Sequence, residues 1–265
     1  MKKQIQIALL ALAMSPLMAW AQQIFSTPDE AASALVDAVS RKDNPQLSQL
    51  FGDNWQQFLP PDGVDRDAVA RFLRDWQLGH RIVIQNATAW LEVGHAGWRL
   101  PIPMEKSDKG WAFNIAAGKD EILTRTIGRN ELSAIGAMHA YVDAQEDYYQ
   151  LNHAWAQKII SSKGKKDGLY WPIAPGEAPS PLGPNFSPAA PNAGYHGYHF
   201  RVIEGRDNGT VALLAWPVAW GETGVMSFMV GQDDRVYQAN FGEGTSEKMT
   251  AIDRFDTQTP WQPAQ

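Results

Sequence analysis

The sequence predicts an α+β protein, in which helices and antiparallel sheets occupy separate stretches of the chain. Three observations lead to this class. Apolar residues recur at helical spacing in residues 28–78 and again in residues 130–158, whereas apolar and polar residues alternate between positions 81 and 115. Short apolar runs with turn residues between them then close the chain. We therefore expect N-terminal helices plus an antiparallel sheet, then a long central helix packed on a C-terminal antiparallel meander.

The first 21 residues have the composition of a secretory signal peptide. Lys2 and Lys3 precede an apolar run that is too short to span a bilayer comfortably. Ala19 and Ala21 form the small-x-small pattern that signal peptidase accepts. We expect cleavage before Gln22 and a periplasmic product without membrane insertion.

The composition argues against several classes of function. The formal net charge of −6 is unfavourable for a nucleic-acid or anionic-lipid partner, because both reward concentrated positive charge. The chain contains no cysteine, so disulfides, thiol catalysis and cysteine-ligated metals are absent. Packing alone must therefore hold the fold, and the length suffices for one large domain or two small ones.

Residues 22–127 predict the first α+β part. Thr27 and Glu30 have the spacing of a capping box at the start of a helix. A shorter helical turn follows, and Asp65 is placed to cap a third helix. Beyond this helix the period of the pattern changes to two, which indicates strands, and Trp98 falls on the inward side of the alternation.

Residues 128–256 predict the second part, and residues 257–265 a polar, loosely held tail. Asn130 is placed to cap a long amphipathic helix. A proline-rich loop at residues 172–194 separates this helix from strand signals within residues 198–239, whose turns are typical of a meander. The predicted buried side of the helix consists of Leu132, Ile135, Met138, Val142 and Tyr149.

The second part resembles the globular heads of type IV pilins and pseudopilins. The resemblance rests on the helix start Asn130-Glu131, on residues 197–200 and on residues 221–224 leading into a strand. It implies one long helix packed on a small antiparallel sheet. The chain departs from these families by carrying an ordinary signal peptide in place of a prepilin-peptidase site, so it has no evident way to enter a pilus as a subunit.

The whole chain is also similar to a family of secreted bacterial proteins of unknown function. The shared segments are Gly-Trp-Arg-Leu-Pro at residues 97–101, Trp-x-Phe-Asn at residues 111–114 and the long helix. This resemblance implies no particular activity.

Motifs of catalysis and of nucleotide binding are missing from the sequence. It contains no Gly-x-Ser-x-Gly, no phosphate loop and no Gly-x-Gly-x-x-Gly that opens a helix after a strand. His139, Asp143 and Asp147 fall four apart on one helical stripe and raise a metal site as an alternative to a solvated acidic face. We favour the solvated face, and we expect no metal and no cofactor.

Aromatic residues provide two further hypotheses. Eleven tryptophans are many for this length, and five of them lie in the first part. They either line a hydrophobic pocket or belong to the core, and the inward positions of Trp76, Trp98 and Trp111 favour the core. The aromatics that flank the proline-rich loop predict an exposed contact patch, which is the candidate binding site: Tyr170, Trp171, Tyr195 and Tyr198.

These observations predict a periplasmic, non-catalytic binding or interaction protein whose partner is another cell-envelope protein. One alternative is an envelope hydrolase that uses carboxylates and His139. Another is a small-ligand carrier with an aromatic pocket in the first part. The sequence leaves the oligomeric state open.

Overall fold

A computed structural model describes residues 22–59, 66–184 and 194–264. The predicted signal peptide, the Asp65 cap and part of the proline-rich loop lie outside the described residues. The described ranges contain five α-helices and two antiparallel sheets, which confirms the α+β class. None of the helices in these ranges has the length and apolar character needed to cross a membrane.

The chain divides into two compact units, Met1–Ile122 and Leu123–Gln265. The division falls inside the long helix, whereas the sequence pattern places the boundary between residues 127 and 128. Each unit has its own sheet and its own hydrophobic core.

The helices and strands follow the predicted order, except that the last helix and the last strand were not predicted. The helices are α1 (Pro28–Arg41), α2 (Asn44–Phe51), α3 (Arg66–Leu78), α4 (Ile115–Asn152) and α5 (Thr245–Thr250). The strands of the first unit are β1 (His80–Gln85), β2 (Thr88–Val93), β3 (Trp98–Arg99), β4 (Met104–Ser107) and β5 (Gly110–Phe113). Those of the second are β6 (Tyr198–Glu204), β7 (Val211–Pro217), β8 (Ser227–Val230), β9 (Val236–Ala239) and β10 (Gln262–Pro263).

The predicted capping box starts α1. The Thr27 hydroxyl accepts a hydrogen bond from the Glu30 N–H at 3.2 Å, and the Glu30 carboxylate accepts one from the Thr27 N–H at 3.4 Å. Together with α2 and the short 3-10 helix Trp55–Gln57, α1 covers one face of the first sheet. The core of this unit includes Ala31, Leu35, Leu50, Phe51, Leu91, Met104 and Phe113.

The first sheet has the order β1-β2-β4-β5, and β3 pairs with β2 beside β4. Asn86, at a φ of 57°, forms the tight turn between β1 and β2. Ala89 and Leu91 of β2 are fully buried on the core face. Because side chains alternate along a strand, Trp90 and Glu92 lie on the opposite face.

The first described residues are part of this sheet. Phe25 exchanges two backbone hydrogen bonds with Trp111 of β5, each 2.8 Å long. The Gln22 carboxamide donates to the Leu50 carbonyl at 2.8 Å and also to the Phe113 carbonyl. The segment therefore lies along the outer edge of β5.

The long helix is confirmed, but it begins earlier than predicted. The strand alternation in the sequence extends to Ile115, yet Ile115 is the first residue of α4. The cap is Asn114, whose Oδ1 accepts a hydrogen bond from the Ala117 N–H at 3.0 Å. Asn130, predicted to cap the helix, lies within it.

The buried side of α4 also differs from the prediction. Leu132 is 70% exposed and Tyr149 is 37% exposed, so neither belongs to the core. Alanines on the true buried side have small side chains that occupy little space against the sheet. That side carries Ala134, Met138, Tyr141, Ala144, Gln145 and Tyr148.

The second sheet is an antiparallel meander in chain order, β6 to β10. On one face, Leu213 and Phe228 belong to a core cluster with residues of α4. On the other face, Leu214 and Met229 pack with Met249 of α5. Burial on both faces explains why β7 is an uninterrupted apolar run, Val-Ala-Leu-Leu-Ala-Trp-Pro, in which every residue is buried.

The outer edge of β6 is covered at both ends. Tyr195 exchanges two backbone hydrogen bonds with Tyr198, of 2.7 and 3.0 Å. At the other end, the Glu204 N–H donates to the Asp253 carbonyl, and the Phe255 N–H donates to the Glu204 carbonyl. Other segments of the same chain therefore bond to both ends of this edge.

The prediction of a loosely held tail is wrong for the described residues. Gln262 and Pro263 form β10 and pair with β9. The ring of Trp261 packs edge-on against Phe241, with centroids 5.4 Å apart. The tail therefore completes the second sheet.

Candidate functional site

The four aromatic residues predicted to form an exposed patch do not share one surface. Trp171 and Tyr198 are buried, with exposed fractions of 7% and 0%, so an exposed patch that includes them is wrong. Tyr170 and Tyr195 are partly buried. A binding role for these two partly exposed residues stays a prediction.

Tyr198 anchors a loop of the second unit. Its hydroxyl donates a hydrogen bond to the Met226 carbonyl at 2.8 Å. Burial, together with the nearby Glu131 carboxylate, raises the pKa of the Tyr198 phenol, which therefore stays protonated. Gly224 lies directly against this ring, and a Cβ atom there would collide with the hydroxyl.

Asn130 and Glu131 hold the same loop from α4. The Asn130 amide donates to the Thr223 carbonyl at 2.9 Å. One Glu131 oxygen accepts the N–H groups of Val225 at 2.9 Å and Met226 at 3.0 Å. These residues, which the sequence predicts as a helix start, thus fasten a loop to the middle of a helix.

Trp171 is part of the core. It belongs to the cluster that packs α4 on the second sheet, together with Leu169 and Leu182. The Lys166 ammonium lies 5.4 Å from the centre of its ring. Tyr170 packs against the same cluster, and its backbone pairs with Ile160.

His139 lies beside an acidic partner that the sequence did not indicate. Its Nδ1 is 2.6 Å from Oδ1 of Asp234, and about half of each side chain is exposed. Asp143 and Asp147 were the expected neighbours. Within the part of the chain that the structure describes, no group of three His, Cys, Asp or Glu side chains is placed to hold a metal ion.

The structure shows a cavity in each of the two units. The cavity of the first unit has a volume of about 470 Å³ and is lined by Phe51, Glu105, Lys106, Phe113 and neighbouring residues. The cavity of the second unit, beside Tyr141, measures only about 20 Å³. The larger volume falls within the range of small-molecule sites.

None of the first-part tryptophans lines the larger cavity. Trp55 and Trp111 are buried in the core, and Trp76 packs against it, as the core hypothesis predicts. The inward position predicted for Trp98 is wrong, because its exposed fraction is 44%. The hypothesis of a tryptophan-lined pocket therefore finds no match among the described cavities.

A more organised group lies on the outward face of the first sheet. Strand register places Arg81 of β1 and Arg99 of β3 on either side of Glu92 of β2. The Arg81 Nε donates to one Glu92 oxygen at 2.7 Å, and Arg99 donates to the other through Nε at 3.1 Å and Nη2 at 2.8 Å. We call this group, together with Trp90, the arginine–tryptophan face.

The electrostatics of this face follow from its geometry. The two arginines cover Glu92, whose side chain is only 8% exposed, while the Arg81 side chain is 71% exposed. Hydrogen bonds from Arg99, and then from Arg81, lower the pKa of Glu92 below its ordinary value of 4.5. The Arg99 guanidinium also lies 5.3 Å from the centre of the Trp90 ring.

The arginine–tryptophan face was not predicted from the sequence. Its signal was present, because Arg81 and Glu92 occupy outward positions of strands predicted from the alternation. Opposite charges at such positions stabilise a sheet when they fall directly opposite each other. Without the pairing of the strands, the sequence does not show that three charges share one row.

The fold and its surface define a two-unit α+β protein with an ordered, partly exposed arginine–tryptophan face. The comparison with known families is more specific. Residues 22–264 match the family described as Protein of unknown function (DUF2950), and the chain belongs to this family. Membership of a family without an assigned function is therefore confirmed. Neither the curated proteins nor the solved structures gave a match.

Proposed function

We propose that this chain is a secreted, periplasmic, non-catalytic binding protein that contacts another cell-envelope protein through the arginine–tryptophan face. The single observation that supports this proposal is the row Arg81–Glu92–Arg99 beside Trp90. Arginine and tryptophan are enriched in the energetically important centres of protein interfaces. Export is expected from the leader pattern, and the likeness of the second unit to pilin heads remains part of the proposal.

The arginines of this face are held in place before any partner binds. Each guanidinium bonds to a Glu92 oxygen, and Glu92 is itself fixed on the central strand of the row. Little side-chain freedom then remains to be lost on association, which favours binding.

The charge of the face indicates the chemistry of its partner. Two guanidinium groups outweigh the single Glu92 carboxylate, so the row carries a net positive charge in a chain whose formal charge is −6. A protein surface that presents carboxylates beside an apolar contact for Trp90 complements this arrangement.

Site-specific photocrosslinking in the cell envelope tests this function. A photoreactive phenylalanine analogue at Trp90 is expected to give an adduct with a distinct envelope protein. The matched control carries the same analogue at Trp220, an exposed tryptophan of the second unit. The adduct should disappear in an Arg81→Glu, Arg99→Glu background. Equal adducts from both positions, or none from Trp90, would contradict the proposal.

A second candidate function is hydrolysis, and the pair His139–Asp234 is the observation that favours it. A carboxylate at Nδ1 orients an imidazole so that Nε2 is directed elsewhere, which is the arrangement of a general base. The test is turnover of peptide and glycan substrates from the envelope by the wild-type chain and by His139→Ala. Activity that survives His139→Ala would remove this candidate.

A further inference from the structure

The outer edge of β1 supports an inference that does not depend on the proposed function. β1 is the end strand of the first sheet, and no other strand of the described residues lies along its outer side. Its pairing with β2 runs without a bulge from His80 to Gln85. The strand contains no lysine, proline or glycine. Bulges, lysines and prolines usually protect an edge from pairing with another chain, and β1 has none of them; its one charged residue, Arg81, is paired with Glu92 of its own sheet.

The pairing with β2 determines which backbone groups of β1 point outward. The Gly94 N–H donates to the Gly79 carbonyl at 2.8 Å, so these residues occupy a hydrogen-bonding position of the antiparallel ladder, and the Leu91 carbonyl opposite Ile82 instead accepts from Leu100 of the other neighbouring segment. The arrangement repeats at every second residue, so the backbone groups of Arg81 and Val83 point toward β2. The N–H and C=O groups that point away from the sheet are those of His80, Ile82 and Ile84.

The side chains near this edge are apolar and exposed to an unusual degree. Ile84 is 54% exposed, and so is Leu78, the last residue of α3. Ile82 is partly buried against the core of the first unit. The ring of His80 stacks on Trp76 with centroids 3.5 Å apart, and this contact holds the start of the strand. A second strand at this edge would cover Ile84.

We propose that β1 pairs antiparallel with β1 of a second copy of this chain, across a two-fold axis at Ile82. In this register Ile82 lies opposite its own counterpart, and His80 lies opposite Ile84 of the second copy. The outward backbone groups of the two strands then form up to about six N–H···O bonds. The two first sheets become one continuous sheet.

The strand is complementary to itself in this register, which a two-fold interface requires. Arg81 is the one Asp, Glu, Lys or Arg residue of β1, and it falls opposite Val83 of the second copy, so like charges do not meet directly. Arg81 is also already paired with Glu92 of its own sheet. A shift by one residue would turn Ile82 and Ile84 to the opposite face of the partner's strand, so the pattern disfavours that register.

The first test measures the mass of the purified full chain by analytical ultracentrifugation across a concentration series. Ile84→Lys places a charge at the edge and is expected to raise the dissociation constant of the dimer by about tenfold or more. The matched control is Ile173→Lys in the second unit, where the isoleucine is 52% exposed, and it should leave the constant unchanged. Denaturation curves verify that both variants remain folded.

The second test uses the absence of cysteine from the chain. Opposite residues in a hydrogen-bonded pair have Cα atoms about 5.5 Å apart, which a disulfide can span. His80→Cys and Ile84→Cys combined in one chain are therefore expected to give a covalent dimer on mild oxidation. Within one copy the two positions are about 13 Å apart along the strand, too far for an internal bridge.

Each single cysteine variant serves as a control, because neither position lies near its own counterpart in the proposed register. A wild-type chain that stays monomeric at every soluble concentration would overturn the proposal. Equal yields of covalent dimer from the single and double variants would overturn the register. Linkage in cell extracts to another protein in place of a second copy would overturn the choice of partner.

Discussion

Among the described residues, α4 and α5 cover both faces of the second sheet, whereas the helices of the first unit cover one face of the first sheet. In the second unit, α4 and α5 pack on opposite faces of the meander, and neighbouring chain occupies both ends of the β6 edge. In the first unit, the helices cover one face, and the other carries the arginine–tryptophan face. The difference indicates that the second sheet serves mainly to hold the fold, while the first also presents surface to its surroundings.

The largest effect is expected at Tyr198, the fully buried first residue of β6 in the second sheet. Tyr198→Ala removes a fully buried ring and its hydrogen bond to Met226, and should cost about 3 to 5 kcal/mol of unfolding free energy. Urea denaturation measures the loss. Tyr195→Ala, at a partly buried neighbour, is the control. An equal loss of unfolding free energy there would mean that burial in the second sheet does not determine the cost.

The next largest effect on stability is expected where α5 packs on the second sheet. Met249 of α5 is fully buried against that face, and Met249→Ala is expected to cost about 2 to 5 kcal/mol. Ser246→Ala on the exposed side of α5 should stay within about 0.5 kcal/mol of the wild type. A small loss of unfolding free energy for Met249→Ala would show that the packing of α5 contributes little to the stability of the second sheet.

The face of the first sheet that carries Glu92 should make the stability of the fold depend on pH. Because the pKa of Glu92 is lowered in the folded state, its carboxylate stabilises the fold above the ordinary value of 4.5. That contribution is lost as the pH falls through the lowered pKa. The stability gap between the wild type and Glu92→Gln is therefore expected to be widest near neutral pH and to narrow below pH 4.5.

Denaturation at several pH values measures this gap. A gap that stays constant down to acidic pH would mean that the arginine pairs contribute nothing that depends on the charge of Glu92.

The smallest effect on stability is expected at Trp90. Trp90→Ala removes a partly buried ring and its contact with Arg99, with a loss of about 0.5 to 1 kcal/mol. Calorimetry or urea denaturation would detect it. A loss as large as that at Tyr198 would mean that this face is structural and not a surface for contact.

The difference between the two sheets could be predicted from the sequence, but the buried side of α4 could not. An uninterrupted apolar run at Val211–Pro217 indicates burial on both faces, and alternation between positions 81 and 115 indicates burial on one. On α4, the spacing of large aliphatic residues favoured Leu132, but the sheet packs against small Ala134 and large Tyr141. Hydropathy alone does not distinguish a helix side that packs through alanines from a side that faces solvent.

Local patterns also failed where a side chain has a distant partner. Asn130 and Glu131 have the residue types of a helix start, yet both bond to the loop at residues 223–226, more than ninety residues further along the chain. The Arg81–Glu92–Arg99 row likewise depends on the pairing of three strands. Such contacts follow from the tertiary arrangement, which local spacing does not encode.

The contact between Gly224 and Tyr198 ties two positions together that are far apart in the sequence. A side chain at 224 would occupy the space of the phenol ring, so position 224 is not free to change while Tyr198 is present. In a random library, substitutions at 224 should survive only alongside a smaller residue at 198. We therefore expect substitutions at the two sites to be correlated among related sequences, so that a search for correlated substitutions would find the contact without any structure.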